Sequence, residues 1–235
     1  MSNLFLILLS TFLISLGGLV GIFTLTIQPK KLQHWLMVFV SLSAGAMMGA
    51  AFLHFLPETP NYLLTLISFC LFFLIEKLLH WRHCHKTRCH IHTFGYMNLI
   101  GDGLHNFLDG LIIAAAFSVN QALGWSTVLA LALHEIPQEI ADFGVLLYAG
   151  WSKQKALFAN FSVALTAVLG GLLGYYFSLS TTLSEWLIPV AAGGFIYIAA
   201  SDLLPEIRKE KSLTKTLLNF GTFVLGILII SIFKD

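Results

Sequence analysis

Residues 1–29 contain no charged side chain, and long apolar stretches of this kind recur down the whole chain. Eight can be marked out, at roughly 3–27, 34–56, 61–80, 94–118, 123–149, 155–178, 186–206 and 213–233. An α-helix needs about 20 apolar residues to cross the hydrocarbon core of a bilayer. Strand-like alternation is weak and the runs are too long for barrel strands. Helices are then the only spanning structure that satisfies every backbone polar group in lipid. A secretory signal peptide would open on a positive segment and carry a shorter apolar core, so the first run reads as a retained span. The connections are short, the longest polar one being about 82–92. The expected fold is an all-α integral membrane protein of eight transmembrane helices, forming one transmembrane domain over residues 1–235.

Composition narrows the function. Hydrophobic residues make up 57% of the chain and charged residues 11%, against about 25% charged in soluble proteins. That excludes disorder and an ordinary soluble enzyme. The 13 Lys and Arg are too dispersed for a nucleic-acid surface. Three Cys are an odd count, which speaks against a disulfide framework.

The cations also set the orientation. With eight helices, Lys30, Lys31, Lys77, Arg82, Lys86, Arg88, Lys153, Lys155, Arg208, Lys209, Lys211 and Lys215 fall on one side, and only Lys234 on the other. Cytoplasmic loops carry the excess of Lys and Arg, so both termini are expected outside the cytoplasm. The absence of a targeting extension suggests a bacterial inner membrane or a simple insertion route.

Ionisable residues inside a membrane are costly and mark functional sites. Here they concentrate on the fourth and fifth helices. The fourth reads Asp102-Gly-Leu-His105-Asn106-Phe-Leu-Asp109-Gly110, and the fifth His134-Glu135-Ile-Pro137-Gln138-Glu139-Ile-Ala-Asp142. Positions 102, 105, 106 and 109 share a helix face, as do 134, 135, 138, 139 and 142. Neither face can point at lipid. Two imidazoles with several carboxylates suit zinc, iron or manganese better than magnesium or calcium. Pro137 removes one helix hydrogen bond and frees the Leu133 carbonyl. Kinked helices at midplane sites are a transporter device.

The chain also echoes itself. His105-Asn-x-x-Asp109 on one helix answers His134-Glu-x-x-Gln138 on the next, which runs the opposite way. His54-Phe-Leu-Pro57-Glu58 near the end of the second helix answers Asp202-Leu-Leu-Pro205-Glu206 near the end of the seventh. The pattern suggests inverted repeats flanking a central pair, an arrangement common in alternating-access transporters.

The paired motifs His-Asn-Phe-Leu-Asp-Gly and His-Glu-Ile-Pro-Gln-Glu resemble those of the ZIP family of divalent metal transporters. The resemblance covers the whole chain. It implies a 3+2+3 inverted-repeat arrangement, uptake toward the cytoplasm, an elevator-like motion and a homodimer. It implies a bimetal site between helices four and five, with one metal on His105, Asp109, His134 and Gln138. A second would use Asn106, Asp109, Glu135 and Gln138, with Asp109 bridging. Relatives often carry His or Glu where Gln138 stands, and some carry Glu near Thr166. A neutral amide is a weaker ligand, so one principal transport site and a weaker second site are expected. Asp102, Glu139 and Asp142, with His54, Ser201 and Asp202, are expected along the metal path or as partners that orient ligands.

The loop after the third helix carries His83, Cys84, His85, Cys89, His90 and His92. These side chains could receive zinc in the reducing cytoplasm. A basic loop obeying the charge rule accounts for the segment equally well. Zn2+ is the expected cargo, with Cd2+, Fe2+ or Mn2+ as alternatives, and no organic cofactor is expected. An intramembrane zinc hydrolase, or a metal-gated channel or sensor, would need similar ligands. The hydrolase signature His-Glu-x-x-His is broken by Gln138.

Overall fold

The computed structural model of the protein describes residues 2–25, 29–59, 61–81, 91–178 and 181–232. Among these residues there are eight helical stretches and no strand. We number them α1 (Asn3–Thr24), α2 (29–55), α3 (Tyr62–Trp81), α4 (Ile91–Val119), α5 (Gln121–Tyr148), α6 (153–178), α7 (181–208) and α8 (Leu213–Ser231). Six of them, all but α3 and α5, are long and apolar enough to cross a membrane. In α3 the apolar part is the shorter segment Tyr62–Ile75. α5 has the length, 28 residues. His134, Glu135, Gln138, Glu139 and Asp142 lower its hydropathy, so the residues that suggest a function also weaken its membrane signal.

α4 lies at the centre of the molecule. Its segment from Ile112 to Phe117 is buried on every side, as an interior helix that is apolar all round must be. It meets α6 backbone to backbone: a Cβ built on Gly110 would lie 2.0 Å from the Ala167 carbonyl oxygen, and one on Gly170 would lie 2.0 Å from that of Phe107. Residues without a side chain let membrane helices come this close.

α4 and α5 are joined by a single residue, Asn120. Its backbone is extended (φ −160°, ψ 169°), and its side-chain oxygen accepts the Leu123 N–H at 2.7 Å. That satisfies one of the free donors of the new helix. So short a turn fixes the two helices antiparallel and sets which of their residues stand side by side.

Helix irregularities recur in matching places. α2 ends in a π-helical segment, Ala51–Phe55, two residues before Pro57, and the Leu56 N–H bonds back to the Ala51 carbonyl at 2.9 Å. α7 contains the π-helical segment Ala199–Leu203, two residues before Pro205, and the Leu204 N–H bonds back to the Ala199 carbonyl. Proline has no N–H and its ring presses on the carbonyl four residues earlier, so the turn widens to accommodate it. α1 passes into a 3-10 turn at Leu16–Leu19 after 13 residues, and α6 is interrupted at Leu165 after 12. The packing corresponds as well: α3 lies on α7, and α8 lies on α2.

Candidate metal centre

Counted from Asn120, the polar residues of α4 and α5 fall into rungs. Asn98 lies 22 residues before the turn and Asp142 22 after it, and the Asn98 amide donates to Asp142 Oδ1 at 2.8 Å. Asp102 and Gln138 lie 18 residues either side, and Gln138 Nε2 donates to Asp102 Oδ1 at 3.3 Å. His105 and His134 lie 15 and 14 residues away, with their Nε2 atoms 3.1 Å apart. At 1.5 Å per residue the histidine rung is about 21–23 Å from the turn.

That rung is the centre of the site. His105 Nε2 is 3.5 Å from Glu135 Oε1 and 3.6 Å from Asp109 Oδ2. Ligand atoms of His105, His134 and Glu135 all lie within 4.8 Å of one another. A tetrahedron with bonds of about 2.0–2.1 Å has edges of about 3.3–3.4 Å, and the three distances from His105, 3.1, 3.5 and 3.6 Å, lie close to that length; the three-residue group of His105, His134 and Glu135 is the core, with Asp109 beside it. Asp109, His134 and Glu135 are buried. Asp109 Oδ2, His134 Nδ1 and both Glu135 carboxylate oxygens have no hydrogen-bond partner among the described residues. Buried polar atoms are ordinarily paired, and a divalent cation is the partner that this set of imidazole and carboxylate donors fits.

The remaining predicted residues sort themselves around this centre. Gln138 and Asn106 both turn their amide nitrogens to Asp102, Asn106 Nδ2 standing 2.8 Å from Asp102 Oδ1. Glu135 is the α5 acid beside the two imidazoles, and Gln138 lines the cavity with them. Glu139 is engaged by α6: its carboxylate accepts a hydrogen bond from the Asn160 amide, whose nitrogen also lies 3.4 Å from the Gly18 carbonyl of α1. Thr166 donates to the Gly103 carbonyl at 2.9 Å, tying α6 to α4. His54 is buried, with Nε2 3.1 Å from the Ile230 carbonyl of α8, and so binds α2 to α8. Asp202, its counterpart before Pro205, lines a cavity of about 210 Å³ together with His105, His134 and Gln138. Ser201 is exposed. His83, Cys84, His85, Cys89 and His90 lie outside the described residues, and His92 stands in the first turn of α4.

Two functional-looking residues were not singled out from sequence. Asn98 continues the stripe of 102, 105, 106 and 109 one turn earlier, and helical spacing alone could have found it. Asn160 is a polar residue inside an apolar run, buried completely.

A family model described as ZIP zinc transporter matches residues 82–234. Zinc transporter ZIP13 of Pongo abelii is 30% identical over 253 aligned residues, covering 92% of this chain and 75% of that protein. Zinc transporter foi of Drosophila melanogaster is 43% identical over 133 residues, covering 56% of this chain and 19% of the fly protein. Zinc transporter ZIP10 of Danio rerio is 41% identical over 156 residues, covering 62% of this chain and 18% of the fish protein. The chain thus spans less than a fifth of the length of the last two relatives.

Proposed function

The chain belongs to the ZIP zinc transporter family, and from that membership we propose that it carries divalent metal ions, zinc foremost, across a membrane into the cytoplasm. The observation that carries this reading is the gathering of His105, His134 and Glu135 within reach of one ion, with Asp109 beside His105, on two helices of an integral membrane protein. Zinc is the cargo: it sheds water and binds these side chains as substrate. Imidazole and carboxylate donors fit zinc, and they also admit cadmium, iron and manganese. The second ligand set, Asn106 and Gln138 with the same acids, adds neutral oxygens and is the weaker of the two. Asp102 and Asp142, one and two rungs closer to the cytoplasmic ends of α4 and α5, and Asp202 in the adjoining cavity, line the way to it.

Eight spans with both termini outside the cytoplasm fit the sorting of the cations. An inverted 3+2+3 repeat is supported by the matched π-helical segments before Pro57 and Pro205, the matched interruptions of α1 and α6, and the reciprocal packing of α3 on α7 and α8 on α2. α1, α4, α5 and α6 pack together, tied through Asn160, Thr166 and the Ser15 hydroxyl, which donates to the Ala164 carbonyl at 2.7 Å. α2 and α8, joined through His54, form the frame with α3 and α7. The site-bearing group moves against that frame, exposing the metal to one side and then the other. Released metal meets the loop holding His83, Cys84, His85, Cys89, His90 and His92. The working unit is a homodimer of this single domain. Catalysis has no place in this scheme, because the family and the relatives that the chain matches are zinc transporters. Gln138 stands where the hydrolase signature has its second histidine.

The test is uptake by wild-type protein in liposomes, with zinc, cadmium, iron(II) and manganese supplied outside. Saturable zinc uptake without a steady current is the expected result, and the panel ranks the metals. Zinc binding without uptake, in protein shown to be folded, would overturn the transporter reading.

A further inference from the structure

An amide ligand has two faces, and only one of them is useful. Its oxygen can coordinate a metal, whereas its NH2 group can only donate hydrogen bonds. The two ends are nearly the same shape, so packing alone does not decide which end faces the metal.

Asp102 supplies the missing choice. Its Oδ1 accepts a hydrogen bond from Asn106 Nδ2 at 2.8 Å, on its own helix, and another from Gln138 Nε2 at 3.3 Å, across on α5. The Asp102 backbone carbonyl lies a further 3.2 Å from Asn106 Nδ2. A carboxylate oxygen only accepts, so each amide must turn its nitrogen to it. The Asn106 oxygen, at the opposite end of its amide, is buried and has no partner among the described residues. Asp102 itself is 5% exposed, which keeps water from competing for its oxygen.

Building on the metal-carrier reading, we propose that Asp102 is a positioning residue that locks Asn106 and Gln138 with their carbonyl oxygens toward the metal, one from each of the two site helices. Asp102 makes no bond to the metal in this role. It converts two reversible side chains into fixed oxygen donors, and it ties the rung below the histidines so that α4 and α5 present those donors together.

Zinc affinity of the purified protein, measured by titration calorimetry, reads this directly and does not depend on transport. Asp102→Ala frees both amides and should weaken zinc binding by roughly tenfold or more, the usual scale for loss of a residue that orients ligands. Asp102→Asn keeps an acceptor oxygen of the same shape and should stay within about threefold of wild type. Adding Gln138→Glu to Asp102→Ala should recover much of the loss, because a carboxylate presents oxygen whichever way it turns. In liposomes the same series should change KM for zinc and not the maximal rate. The thermal transition of each variant checks folding, and Asp102→Ser, too short to reach either amide, replaces Asp102→Ala if that variant does not fold. Wild-type affinity in Asp102→Ala would overturn the proposal. So would an equal loss in Asp102→Asn, which would mean that charge, and not orientation, is what Asp102 provides. Wild-type protein that binds zinc but does not carry it would instead overturn the carrier reading and leave this one standing.

Discussion

Glu135→Ala will reduce zinc uptake by about 100-fold or more, while Gln138→Ala will reduce it by only about tenfold. The scale follows from metal sites in general, where loss of a residue that merely supports a ligand costs roughly 10–100-fold. Position 138 is the one that the sequence pairs with the histidines, by its place in the motif. The structure keeps Gln138 in the cavity with the histidines and sets Glu135 beside His105. Glu135 Oε1 stands 3.5 Å from His105 Nε2, close to the edge length of a coordination shell, and neither Glu135 oxygen has a hydrogen-bond partner among the described residues. Removing it takes away an anionic donor and leaves a doubly charged ion facing two neutral imidazoles and Asp109. Gln138 already spends its amide nitrogen on Asp102 and offers only a neutral oxygen. Zinc uptake into liposomes, normalised to folded protein, separates the two. Equal losses would mean that position 138 is an equal partner in the principal site.

Gly110→Val will leave no properly folded protein. A Cβ at this position would sit 2.0 Å from the Ala167 carbonyl oxygen and 2.6 Å from the Gly171 nitrogen, both of them backbone atoms. Neither can swing aside as a side chain can. α4 has little room to retreat, because its next turns, Ile112 to Phe117, are buried against the rest of the molecule. Overpacking a well-packed interior costs about 1–3 kcal/mol when side chains can yield, and here the whole of α6 would have to shift. Gly170→Val should act in the same way, its Cβ meeting the Phe107 carbonyl oxygen at 2.0 Å. Gly144→Ala is the control: nothing lies within 4 Å of a Cβ there, and alanine is favoured over glycine in a helix by about 1 kcal/mol. Size-exclusion profiles and thermal transitions in detergent give the comparison. A monodisperse Gly110→Val protein with an unchanged transition would contradict the tight crossing of α4 and α6.

Much of this was legible in the sequence because lipid leaves few choices. Charges are expensive in the membrane, so the polar residues of α4 and α5 had to be turned inward, and helical spacing put them on one face of each helix. The eight apolar runs likewise coincide with the eight helical stretches. What the sequence could not supply was register. One residue, Asn120, reverses the chain and decides that 105 stands beside 134, 102 beside 138 and 98 beside 142. Without knowing the length of that turn, the sequence put Gln138 in both ligand sets and Glu135 only in the second. The direction of a side chain around its helix was also hidden at the margins of the polar face. Glu139 follows Gln138 directly yet points to Asn160 and α1, and His54 matches Asp202 in the repeat yet is held by a carbonyl of α8. The local widening of α2 and α7 follows from Pro57 and Pro205, but proline alone does not say whether a helix will bend, break or widen.

The central claim is that metal crosses the membrane by binding between α4 and α5. The most direct measurement is zinc uptake into liposomes containing wild-type protein, His105→Ala or His134→Ala, each matched for folded protein and supplied with zinc outside. The account predicts saturable uptake in the wild type and uptake at the level of empty liposomes in both variants, since the two Nε2 atoms 3.1 Å apart are the core of the proposed shell. Saturable uptake that survives in either variant at the wild-type rate would contradict it, because the metal would then be crossing by another route.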